Sequence, residues 1–184
     1  LRYSSRAVRD RKRSGKRGEN GSLKEAGTVL LCIFLLVTAG QDLRRKSVEV
    51  RVYLVFGVAA VVWNGMYVFC MRGTAGEGGI LGDLFVRRMT SCGVGILLLI
   101  IGKASQGGIG AGDGCFFLVS GLLLDPWQNF WLLAVGIFLC GGYSLWLFVR
   151  ARFRDGQDIG KATLPFLPFV AVAGAAGLAV GVIG

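Results

Sequence analysis

Eleven acidic residues and no histidine bound the chemistry open to this 184-residue chain. A hydrolase that holds its metal on an HExxH helix needs histidine, and so does a serine nucleophile with an imidazole base. Both are excluded. A serine–lysine pair survives only on paper, because Lys46, Lys103 and Lys161 fall in charged or glycine-rich loops, where they read more simply as topology markers. Cys32, Cys70, Cys92, Cys115 and Cys140 form no CxxC pair. They read as small apolar packing residues, so neither a metal nor a cofactor is expected. Carboxylates remain, and their placement sorts them. Asp10, Glu19 and Glu25 belong to a basic N-terminal stretch or its junction. Glu77, Asp83 and Asp125 lie in connections, and Asp155 and Asp158 share a later loop. Asp42 closes one apolar block with Glu49 in the loop behind it, and Asp113 opens another.

Two carboxylates held close together cannot easily both ionise, so one tends to keep a proton while the other serves as a base. Such a pair can activate a water for attack on an amide and protonate the leaving nitrogen. Its two titrations belong to the pair and not to either member. The run Gly107-Gly108-Ile109-Gly110-Ala111-Gly112-Asp113-Gly114 sets an acid among glycines at the mouth of a helix. Glycine permits unusual backbone angles and the close approach of a substrate backbone. The competing reading is structural: Gly-Gly-x-Gly is a generic turn, and an aspartate that caps a helix N-terminus is ordinary.

The elements that must position these residues are membrane helices. The sequence is 53% hydrophobic, only 17% charged, and has a mean hydropathy of +0.60. Its apolar residues fall in blocks at 26–41, 52–71, 84–102, 114–127, 130–149 and 164–183. About 20 apolar residues cross a hydrocarbon core of about 30 Å, which the second, fifth and sixth blocks meet directly. The first meets it if its polar ends reach the headgroups. Arg87 and Arg88 intrude on the third, and the fourth is short before Asp125-Pro126. Trp63, Trp127, Trp131 and Trp146 lie in the blocks or at their edges, as aromatic belts do. The fold class is therefore all-α, a polytopic membrane bundle of about six transmembrane helices in a lipid bilayer. Many of the 30 glycines serve close helix packing, and Ala173, Gly177 and Gly181 place small residues along one face of the last helix. If the second and third blocks both span, Asp42 and Asp113 lie on the same membrane face; if the third does not, they lie on opposite faces and cannot pair.

Residues 1–25 are a different material from the membrane domain at 26–184. Nine basic residues against three acids, with few large apolar side chains, read as a disordered tail. A basic run can bind nucleic acid or anionic lipid, but no aromatic or helical pattern accompanies this one. A solvated tail, or translated sequence upstream of the true start, is expected, with no nucleic-acid partner.

Gly110-Ala111-Gly112-Asp113, preceded by Lys103 and Gly107-Gly108, resembles the GxGD motif of the type IV prepilin peptidases. Thr38-Ala39-Gly40-Gln41-Asp42-Leu43-Arg44-Arg45-Lys46-Ser47-Val48 resembles that family's other motif, an aspartate ending the first helix before a basic loop. Leu164-Pro165-Phe166-Leu167-Pro168-Phe169 resembles the proline–phenylalanine start of its last helix. The likeness covers about residues 26–184, and GxGD stands after three helices and about 70 residues past the first aspartate. It implies a membrane aspartic endopeptidase with Asp42 and Asp113 as the catalytic pair and Gly110 and Gly112 as backbone support. Its partners would be prepilin or pseudopilin precursors, cut on the cytoplasmic side of the bacterial membrane just before their hydrophobic N-terminal helix. Cys115 stands where many members have lysine, and Glu49 and Val50 where many have proline and asparagine. The paired-cysteine extension of the bifunctional, methylating members is not seen, so peptidase activity alone is expected.

With the aspartates on the cytoplasmic face, the inside loops hold Arg44, Arg45, Lys46, Arg51, Lys103, Arg150, Arg152, Arg154 and Lys161, and the outside loops hold only Arg72, Arg87 and Arg88. The positive-inside rule favours that orientation, although the basic tail would then face outward. The alternative function is that of a non-catalytic membrane protein, a small transporter or assembly factor, whose two aspartates are solvated loop caps.

Overall fold

The computed structural model describes residues 25–44, 48–71, 77–105, 110–154 and 165–183. The basic tail to Lys24, the loop residues Arg45 and Lys46, the Gly107-Gly108-Ile109 turn, Asp155, Asp158 and Lys161 lie outside the described residues. Six α-helices and no strand make up the rest: α1 (Glu25–Arg44), α2 (Val50–Met71), α3 (Glu77–Ala104), α4 (Ala111–Leu123), α5 (Pro126–Arg154) and α6 (Leu167–Val180). Within them, Glu25–Arg44, Val50–Phe69, Gly82–Ala104 and Pro126–Arg152 are long and apolar enough to cross a membrane. The protein is an all-α membrane helix bundle. Its outer surface is correspondingly apolar, with Leu36, Val50, Phe69, Phe138 and Val180 all exposed. Such a continuous apolar exterior suits lipid and not water.

Two expectations change in detail. The third block, which two arginines weaken on paper, forms the 28-residue helix α3. The sixth block, expected to span directly, yields only the 14 residues of α6. Pro165 and Pro168 mark its start, and at its end Gly181 adopts φ 74°, where the Val182 and Ile183 amides both turn back to the Gly177 carbonyl at 2.9 and 3.1 Å. Gly181 therefore closes the helix and is exposed, whereas Ala173 and Gly177 are packed, so the small-residue face is shorter than the sequence suggests. At about 1.5 Å per residue, α4 and α6 each fall short of a hydrocarbon core.

The core is centred on α4, whose Phe116 and Phe117 are fully buried together with Phe34 of α1, Leu132 of α5 and Val170 of α6. Of the described elements, α3 and α4 pack over the longest stretch, and glycines let them. A Cβ on Gly95 would meet the Leu118 nitrogen and stand 2.8 Å from the Gly114 oxygen and the Phe117 carbonyl carbon. A Cβ on Gly121 would stand 2.8 Å from the Cys92 nitrogen. Only glycine allows backbones this near. Asn129 of α5 locks the pair: its Nδ2 donates to the Ser91 and Phe117 carbonyls at 3.0 and 3.2 Å, and its Oδ1 accepts from Ser120 Oγ at 2.7 Å. A fully buried asparagine is tolerable here because its amide is satisfied across three helices.

Consecutive helices run in alternating directions, so the bundle has two distinct ends. One gathers Gly27, Tyr67, Asp83, Leu124, Gln128 and Ile183 around a cavity of about 400 Å³. The two arginines of α3 are accommodated there. Arg87 pairs with Asp83 at 3.3 Å and Asp125 at 3.6 Å, while Arg88 approaches Asp125 at 3.9 Å and donates from Nε to Asn64 Oδ1 at 3.1 Å. Charges near the ends of spanning helices are tolerated when they are paired like this.

Candidate active site

The other end carries Asp42 and Asp113. Asp42 lies in the last turn of α1, about fifteen residues and some 22 Å along the helix from the cavity-lining Gly27. It is 9% exposed. Its Oδ2 accepts a hydrogen bond of 3.0 Å from the amide of Leu167, and the Phe166 backbone adds to the same hold. Leu167 is the first residue of α6, where backbone amides lack helical acceptors and the helix dipole favours a negative charge. The proline-bounded start of α6 thus serves the carboxylate of α1 across 125 residues of sequence.

Asp113 is the third residue of α4, and Gly110 occupies the N-cap with φ −65° and ψ 131°. This differs from both sequence-based views of the turn. The aspartate is not the cap residue, and Gly110 has an ordinary extended backbone, so its value lies in the space it leaves. A Cβ on Gly110 would approach Asp113 Oδ2 to 3.5 Å, and one on Gly112 would approach the Tyr53 hydroxyl to 3.4 Å. Side chains at either position would grow into the region of the carboxylate.

The structure brings the two aspartates together. Burial, and after it the charge of Asp42, raise the Asp113 carboxyl to about 6. That second contribution requires the groups to be neighbours in a poorly solvated place. Asp113 makes no side-chain hydrogen bond among the described residues, so little opposes the shift. Cys115, two residues on, is a half-buried free thiol, and Cys140 of α5 feels the charge of Asp113. Lys103 ends α3, exposed at this same end of the bundle. Asp83 and Asp125 belong to the opposite end and its ion pairs. Among the described residues no three of His, Cys, Asp or Glu stand close enough to hold a metal ion.

Two contributors were not singled out from the sequence. The Leu167 amide carries no side-chain signature, and only the prolines around it mark a helix start. Tyr53 of α2 reads as one aromatic in an apolar block, and its short distance along the chain from Asp42 was the available signal.

Fold and site together define an integral membrane protein that presents two carboxylates at one end of a helical bundle. The chain belongs to the type IV leader peptidase family, which matches residues 29–145, a stretch that includes both aspartates and both motif glycines. No curated protein and no solved structure matches it. Family membership makes it a protease of the leader-peptidase kind.

Proposed function

We propose that the protein is an aspartic endopeptidase that removes the leader of prepilin-like precursors at the cytoplasmic face of a bacterial membrane, with Asp42 and Asp113 as its catalytic pair. The observation that carries this reading is the delivery of two carboxylates by α1 and α4 to one end of the bundle, near enough for the charge of Asp42 to act on Asp113. Two such groups share a proton near neutral pH. The ionised member takes a proton from water as that water adds to the scissile carbonyl, and the protonated member donates to the leaving nitrogen. The proton belongs to the pair, and no fixed division between acid and base is implied. Gly110 and Gly112 keep the approach to the pair open for an extended substrate backbone.

The orientation draws support from charge. Arg44, Arg51, Lys103, Arg150 and Arg152 lie at the carboxylate end, whereas Arg87 and Arg88 at the cavity end are paired with acids. Basic residues retained on the cytoplasmic side give this asymmetry. A precursor whose cleavage site directly precedes a hydrophobic helix could lay that helix in the bilayer beside the bundle with its scissile bond at the carboxylates.

The test is conversion of a prepilin-like precursor to its mature form by membranes carrying Asp42→Asn, Asp113→Asn or both, at matched expression. Each single change is expected to abolish cleavage almost as fully as the double change, because members of one catalytic unit are strongly non-additive. Asp83→Asn, which loses only an exposed ion pair at the far end, is expected to retain activity. Substantial cleavage by either single variant would remove that residue from the pair. Failure of the unaltered protein to cleave any prepilin-like precursor would favour a transport or assembly role.

A further inference from the structure

Tyr53 enters α2 one turn after its start and points its ring into the core. It is 6% exposed. Its ring meets Phe34 edge-on at 6.4 Å and 72°, and Phe34 stacks on Phe116 at 5.0 Å and 8°. This aromatic column fixes the ring without help from the hydroxyl. The hydroxyl itself is buried and has no hydrogen-bond partner among the described residues. Buried polar groups are rarely left in that state, and each exception calls for an explanation. A phenylalanine would make the same ring contacts and leave nothing unsatisfied.

The surroundings supply a reason. The hydroxyl lies beside Gly112, and the titratable groups that face it are Asp113 and Cys115 from α4 and Asp42 from α1, with Asp113 the strongest of the three. Asp42 is already held by the amide of Leu167, whereas the Asp113 carboxyl has no hydrogen bond among the described residues. A buried donor without a partner thus stands beside Gly112, next in the chain to a half-buried carboxyl that has no hydrogen bond among the described residues. A phenol is neutral at working pH, so it can hold a carboxylate without cancelling its charge.

We infer that Tyr53 is a positioning residue of the carboxylate pair, its hydroxyl donating to the Asp113 carboxyl group when a substrate closes the site. This rests on the reading of Asp42 and Asp113 as the catalytic pair. The bond would fix which Asp113 oxygen faces the attacking water, and it would form only in the engaged enzyme. Its contribution then belongs to kcat and not to the stability of the free protein.

The experiment compares Tyr53→Phe with the unaltered full-length protein in detergent, using a prepilin-like peptide, with Asp113→Asn in parallel. Tyr53→Phe is expected to lower kcat about ten- to a hundredfold, the loss typical of a hydrogen bond to a charged group. KM should stay within about twofold. Its unfolding temperature should equal or exceed that of the unaltered protein, because the hydroxyl has no partner to lose. An unchanged kcat beside an inactive Asp113→Asn would overturn the inference and leave the catalytic pair standing. A fall in unfolding temperature in step with activity would overturn it in favour of a structural role. A raised KM with kcat intact would make Tyr53 a binding residue instead. If Asp113→Asn still cleaves, the catalytic pair fails, and the role of Tyr53 fails with it.

Discussion

Replacing Gly95 by alanine tests whether the close approach of α3 and α4 is what holds Asp113 in place. The added methyl would stand 2.8 Å from the Gly114 oxygen and the Phe117 carbonyl carbon, with the Leu118 nitrogen nearer still. Ordinary contact begins at 3.4 Å, so α4 must retreat by about 0.6 Å or more. None of these atoms can swing aside, because all belong to the α4 backbone. Gly114 directly follows Asp113, so the retreat moves the carboxylate with it. Overpacking of this kind costs about 1–3 kcal/mol of stability. A misplacement of about 1 Å costs about a hundredfold in rate, so a retreat somewhat below that is expected to lower kcat/KM by about ten- to a hundredfold.

The control is on the same helix. A Cβ on Gly93 meets nothing within 4 Å, and alanine there exchanges a poor helix former for a good one, a gain of about 0.5–1 kcal/mol. Both variants are assayed for thermal unfolding in detergent and for conversion of a prepilin-like precursor. Gly93→Ala is expected to be as stable and active as the original or slightly better, and Gly95→Ala worse in both respects. Equal behaviour of the two variants would refute the claim that backbone contact between α3 and α4 positions Asp113.

Asn129→Leu removes the amide that joins Ser91, Phe117 and Ser120, and is expected to destabilise the bundle by about 1–2 kcal/mol in detergent unfolding, the upper range for polar links between membrane helices. Asp113→Asn should be more stable than the original at pH 7.5 by up to about 3 kcal/mol, since an amide escapes the burial penalty and the Asp42 charge that together raise the carboxyl from 3.8 to about 6. The sign follows from linkage: the folded state binds the proton more tightly, so the original loses stability as pH rises from about 4 to about 6, and the two proteins should converge at pH 4. Unfolding curves at both pH values check this, and a variant less stable at pH 7.5 would contradict it.

Much of this arrangement was legible in the sequence because membrane helices announce themselves by length and hydropathy. The six apolar blocks correspond to six helices, and counting crossings from Asp42 through α2 and α3 brings Asp113 back to the same end. What the sequence could not carry was depth. The block at 164–183 is apolar throughout, yet Pro165, Pro168 and the left-handed Gly181 cut its helix to Leu167–Val180. Hydropathy has no access to backbone geometry. Arg87 and Arg88 weaken α3 on paper because, apart from the local Asp83, their partners Asn64 of α2 and Asp125 of the α4–α5 connection meet them only after folding. The amide of Leu167 was invisible for the same reason: its function depends on where α6 begins in space and not on its side chain.

The two ends of the bundle hold their polar groups differently, and the difference bears on function. At the cavity end Arg87 and Arg88 share Asp83 and Asp125, Asn64 bridges to the Ala60 and Leu122 carbonyls at 2.8 Å, and Gln128 reaches the Val182 carbonyl at 3.0 Å. The Arg88 Nη1 atom has no hydrogen bond, but it lies in the field of Asp125. Most of that end's polar groups are shared between elements, although Ser91 Oγ, a turn beyond Arg88, is also buried without a partner. At the carboxylate end Asp42 has the α6 amide, the half-buried Asp113 carboxyl has no hydrogen bond among the described residues, and the Tyr53 hydroxyl is buried without a partner. A buried hydroxyl without a partner is a cost to the free protein, and the ring contacts of Tyr53 give folding no reason to place one beside Gly112. A site that completes its hydrogen bonds only when water and a peptide arrive does give one, because binding energy is then realised along the reaction and not in the ground state. The same logic makes Asp113→Asn informative: a variant that gains stability while losing cleavage would locate the cost and the catalysis in one carboxyl group.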